Sequence, residues 1–143
     1  MNEWGAMVFA MVGFLGFTAF IFFAGNTTAP TWEIHFAESL PGYSNELNVV
    51  TATGELKFHA AFAHSYCGYD QNLFDPSVEI RGNVIRISLL HPPEGTPICK
   101  CIFTTAVEGH VRNLSSGEYS VEMGWRSRDG KFKKIKAVTV RVP

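Results

Sequence analysis

Two hydrophobic rhythms divide this chain. Residues 5–25, GAMVFAMVGFLGFTAFIFFAG, are apolar almost throughout and carry no charge. In helical geometry that stretch extends about 30 Å, the hydrocarbon thickness of a bilayer. From Trp32 onward the period falls to two. Trp32, Ile34 and Phe36 alternate with Glu33 and His35, and Leu56, Phe58, Ala60 and Phe62 alternate with Lys57, His59 and Ala61. Such alternation predicts half-buried strands of antiparallel sheets. The expected organisation is a transmembrane anchor and short linker over 1–29, then one exported β domain over 30–143.

Turn residues refine the second part. In SVEIRGNVIRIS, Gly82-Asn83 suits a two-residue primed turn. It pairs Ile80 with Ile85 and Val78 with Ile87 on one face, and Glu79 with Arg86 on the other, so apolar and charged faces agree. A second turn is expected at Asp129-Gly130. Strict two-residue pairing there sets Trp125 against Lys134 and Met123 against Lys136, so a bulge or a longer loop is expected instead. Further strands are expected near 47–52, 98–108, 117–126 and 132–141. Seven or eight short strands with frequent turns predict an antiparallel β-sandwich.

In NLSSGEYSVEM, Leu114, Gly117 and Tyr119 resemble the L-x-x-G-x-Y corner of immunoglobulin-like and fibronectin type III sandwiches. There the tyrosine hydroxyl ties back to a nearby backbone group. The wider order of Cys67, Val78, Ile80, Gly82, Asn83, Ile85, Ile87, Cys99, Cys101, Leu114, Gly117, Tyr119 and Val121 resembles small sandwich domains of bacterial membrane-anchored and lipoprotein-type exported proteins. Those domains mostly lack an assigned activity. The chain departs from the lipoprotein pattern, because no cysteine ends the apolar segment to accept a lipid. The helix is then the expected anchor.

A cleaved signal peptide is the competing reading of residues 5–25. The preceding MNEW has an acid and no base, and Pro30 follows the nearest small-residue site. No basic residue flanks the segment, so the positive-inside rule gives no direction. The cysteines suit an oxidising compartment. The N-terminus is therefore expected in the cytoplasm, with the domain periplasmic or extracellular. Ala6, Ala10 and Gly13 form a narrow helix face that admits a close partner helix. Phe9, Phe14, Phe17, Phe20, Phe22 and Phe23 crowd the other sides, where lipid or pigment tails could pack.

Composition adds less. Twelve basic against thirteen acidic residues give a formal charge of −1, which argues against nucleic-acid binding. Six cations, Arg126, Arg128, Lys131, Lys133, Lys134 and Lys136, concentrate in one hairpin. They read as a charged edge that blocks aggregation, or as a docking patch for an acidic partner or anionic headgroups. His35, His59, His91 and His110 read as strand-surface residues, and HPPEGTP as a rigid connection.

The three cysteines allow several chemistries. Cys99 and Cys101 would share one strand face, and either could reach Cys67. Closing a loop of some thirty residues contributes about 3–4 kcal/mol. The alternative is a metal set of His64, Cys67, Cys99 and Cys101, suited to zinc or Cu(I). Nucleophilic catalysis lacks an orienting acid and an oxyanion loop. These readings converge on a non-catalytic, single-pass accessory subunit of a larger membrane complex, of photosynthetic or respiratory type, with no cofactor of its own. The alternative is a free membrane-tethered binding module, metal-binding through the cysteines and His64.

Overall fold

The computed structural model describes residues 29–38 and 44–143. The expected anchor and its small face of Ala6, Ala10 and Gly13 lie outside the described residues. Among the described residues no helix is long and apolar enough to cross a membrane.

Eight strands follow one another: β1 (Thr31–Ala37), β2 (Glu46–Ala52), β3 (Glu55–His64), β4 (Ser77–Arg81), β5 (Val84–Leu90), β6 (Phe103–Arg112), β7 (Gly117–Arg126) and β8 (Phe132–Val142). A single 3-10 turn, Gln71–Phe74, joins β3 to β4. The strands form two four-stranded sheets, ordered β1-β6-β3-β2 and β4-β5-β7-β8. The alternation read from the sequence sets the core. Leu56, Phe58, Ala60 and Phe62 of β3 are buried with Val107 and Val111 of β6, alongside Val78, Ile85, Ile87, Leu89, Val121 and Met123 of the second sheet.

The β4–β5 hairpin has the expected register, with Ile80 opposite Ile85, Val78 opposite Ile87 and Glu79 opposite Arg86. Gly82 has a φ of 59° and Asn83 is not left-handed, as a turn with a positive φ only at its first central residue requires. Tyr119 Oη donates to the Ser115 carbonyl at 2.8 Å, so the tyrosine ties the start of β7 to the turn before it.

Two expectations need correction. The sandwich is not wholly antiparallel, because β5 and β7 run parallel, from Val84 opposite Ser120 to Leu90 opposite Arg126. After β5 the chain crosses to the other sheet as β6 and returns as β7, and so long a crossover permits parallel neighbours. The strand expected over 98–108 begins only at Phe103. Residues 91–102 instead bridge the two sheets as a loop, where Pro92, Pro93 and Pro97 supply no backbone N–H and Cys99 N donates to the Ser65 carbonyl at 2.9 Å. Cys99 and Cys101 therefore lie on that loop and not on a strand face.

The conflict foreseen in the β7–β8 hairpin is resolved by both devices. Arg126 pairs with Phe132, which leaves Ser127–Lys131 as the loop, and the register shifts between Met123 and Gly124. Met123 still faces Lys136, but Gly124 faces Lys134 and Trp125 faces Lys133, so Ile135 is the extra residue of a bulge. Gly124 is required beside it. A Cβ there would run into the Lys133 carbonyl, and it would lie 2.9 Å from Phe132 Cζ. Gly124→Ala should therefore lower unfolding stability by about 1–3 kcal/mol, read by urea denaturation, while the nearby exposed change Lys133→Ala should leave it almost unchanged.

Candidate functional site

At one end of the sandwich the loops 64–77, 91–102 and 127–131 meet. Trp125, near the end of β7, is the hub of an aromatic cluster there. Its ring centroid lies 5.6 Å from Phe62 in the opposite sheet, 5.6 Å from Phe74 of the 3-10 turn and 5.7 Å from His91 after β5. Tyr66 and His64 stand at 6.5 and 6.4 Å, and Tyr69 packs on Phe74 at 4.9 Å. Edge-to-face and tilted contacts at such separations add to the burial of these large rings.

A hydrogen-bonded chain threads this cluster. The Tyr66 backbone N–H donates to His64 Nδ1 at 3.1 Å, which leaves the proton on Nε2. That nitrogen donates to Thr105 Oγ1 at 2.8 Å. His91 Nδ1 lies 3.0 Å from the Pro92 carbonyl and so carries the proton, leaving Nε2 to accept from Tyr66 Oη at 3.1 Å. Burial pushes the His64 pKa below its usual value. Burial first, and then the charge of neighbouring Tyr69, push the Tyr66 pKa up, so the phenol stays a donor. Both ring nitrogens of each imidazole are occupied.

A disulfide links Cys67 to Cys99, with Cα atoms 5.8 Å apart, and pins the 65–70 loop to the 91–102 loop. Cys101 is free and exposed. Of the set His64, Cys67, Cys99 and Cys101, two thiols are joined in the bridge, His64 is engaged by Thr105 and Tyr66, and Cys101 stands apart as an exposed thiol. Among the described residues no group of three His, Cys, Asp or Glu side chains could hold a metal ion.

The six cations of the β7–β8 hairpin differ in their partners within the fold. Arg126 turns back onto the fold, with Nη2 2.7 Å from Asp75 Oδ2 and Nη1 3.1 Å from Ser88 Oγ, and so anchors the end of the 3-10 turn. Lys134 pairs with Glu122 at 3.7 Å, and Glu122 also holds Arg86 at 3.0 Å. Lys136 Nζ donates to the Asn45 carbonyl at 2.9 Å, joining β8 to the approach of β2. Arg128, Lys131 and Lys133 have no ion-pair partner among the described residues.

Several large apolar side chains at this end are exposed. Leu73, Ile98, Ile102 and Phe103 are exposed, Ile98 by 69%. On the hairpin side a cavity of about 670 Å³ opens against Trp125, Ile135, Ala63 and His91, with Lys131 and Lys133 at its edge. Reading residue types one at a time misses this end. His91 looks like a strand-surface residue, HPPEGTP like a mere connection, and Tyr66 like a neighbour of Cys67. The available signal is the aromatic density of HSYCGYDQNLF facing Trp125. The chain matches no protein-family model, no curated protein and no solved structure.

Two outcomes test this geometry. Replacing Cys67 and Cys99 together by Ser should cost about 3–4 kcal/mol, since the bridge closes a separation of 32 residues. Cys101→Ser should cost almost nothing, and urea unfolding under non-reducing conditions distinguishes the two. The lowered His64 pKa has a definite sign. The unfolded chain binds this proton near pH 6.5 and the folded chain only at lower pH, so the contribution is complete above 6.5 and is lost as pH falls through the folded pKa. His64→Gln should flatten that part of the stability–pH curve, measured as the difference from wild type.

Proposed function

We propose that this chain is a non-catalytic, single-pass accessory subunit of a larger membrane complex, of photosynthetic or respiratory type. Residues 1–29 anchor it, the N-terminus is cytoplasmic and the sandwich stands on the outer, periplasmic face. The observation that carries this reading is the set of exposed apolar side chains, Leu73 in the 3-10 turn, Ile98 and Ile102 on the loop that the Cys67–Cys99 bridge braces, and Phe103 at the start of β6. Rigid apolar groups that a lone domain leaves to water are what a docking surface needs. They lie at the end of the sandwich remote from Thr31, where β1 begins opposite Arg112. A domain tethered through residues 1–29 would therefore carry them away from its anchor.

An immunoglobulin-like domain suits such a bracing role. The Tyr119–Ser115 contact supports that assignment, while the parallel β5–β7 pair departs from a wholly antiparallel sandwich. The small face of Ala6, Ala10 and Gly13 would receive a neighbouring integral subunit, with the phenylalanines against lipid or pigment tails. The site offers little for catalysis, since both nitrogens of each of its two histidines are already engaged. The cavity beside Trp125 favours a second reading, a free membrane-tethered binding module.

Gentle detergent extraction from native membranes, followed by a native gel and mass spectrometry, tests the proposal. Co-migration with a large stoichiometric assembly is the expected result, and Ile98→Glu with Phe103→Glu should release the chain without unfolding it. Migration as a small species on its own overturns the subunit reading.

A further inference from the structure

The cavity on the hairpin side of the aromatic end has the makings of a ligand site, and this holds whether or not the chain is part of an assembly. Its volume of about 670 Å³ is in the range of small-molecule sites. Its lining brings together the apolar side chains of Trp125, Ile135, Phe132 and Ala63 with the cations Lys131 and Lys133. No Asp or Glu is among the residues that line it.

The bulge at Ile135 creates this combination. Without it Lys134 would face Trp125; with it, Lys133 stands directly across from the indole, and Lys134 turns to Glu122. The other charges nearby are already committed. Arg126 holds Asp75, Lys136 holds the Asn45 carbonyl, and Asp129 accepts from the Lys131 backbone N–H at 3.2 Å and from the Ser127 hydroxyl. The indole is itself fixed, wedged by Phe62, Phe74 and His91. A rigid aromatic wall beside two unpaired ammonium groups is preorganised for one kind of molecule.

We infer that this cavity binds an aromatic carboxylate, its ring against Trp125 and Ile135 and its carboxylate at Lys131 and Lys133. A free small acid and the C-terminus of a peptide ending in an aromatic residue carry the same chemistry.

Isothermal titration of the full chain in mild detergent with naphthoate, against detergent alone, tests the inference. Saturable one-site binding is expected. The double change Lys131→Glu and Lys133→Glu, on two exposed side chains, should weaken it by about tenfold or more, and uncharged naphthamide should bind more weakly by a similar factor. No saturable binding, or equal affinity in the lysine variant, overturns the inference. A blocked tripeptide ending in phenylalanine acid separates the sources: tighter binding than naphthoate assigns a peptide C-terminus, and weaker binding assigns a free small acid.

Discussion

Trp125 is the side chain on which the loop end of this molecule depends. It projects from β7 of one sheet and meets Phe62 and His64 of the other edge-to-face, so these ring contacts close the sandwich at that end. Two loops then settle on it, the β3–β4 connection through Tyr66 and Phe74 and the loop after β5 through His91. The polar atoms carried in with these rings are satisfied locally, through Tyr66, His64, Thr105 and His91. Burying them unpaired would oppose the packing, at a cost of about 1–3 kcal/mol for each group. The disulfide adds a covalent limit on how far two of the loops can part.

The hydrophobic rhythm makes much of the fold legible. Period-two alternation identifies the inward faces of β3, β4, β5 and β7, because each face must be either wet or buried. Gly82-Asn83 fixes one register outright, since slipping it by a residue would put Glu79 on the core face. The clash of Trp125 and Met123 with lysines announces a bulge in advance. Other features are out of reach of a local pattern. Alternation tells which way a side chain points and not which strand lies beside it, so the parallel β5–β7 pair is invisible. Ile98 and Ile102 imitate a strand while lying on a loop held by Ser65 and Cys67.

The site was legible only in part, for the same reason. The sequence left Cys67 open to a bridge with either cysteine of C-x-C or to a metal set, and what sets Cys99 beside it is a long-range backbone hydrogen bond to Ser65. Six clustered cations suggested one patch. Their acidic and carbonyl partners come from distant strands and loops, Asp75, Glu122 and Asn45, and these consume Arg126, Lys134 and Lys136. What is left is smaller: Arg128, and two lysines that share a cavity with the indole of Trp125.

The account therefore assigns recognition to one end of the sandwich and structural support to the remainder. Its most direct test is a photo-crosslinking residue placed at Ile98 and, for comparison, at Val50 of β2, each of which is 69% exposed. In native membranes the account predicts a discrete heavier adduct from position 98 and none from position 50. Equal crosslinking from both positions, or no adduct from position 98, would contradict it.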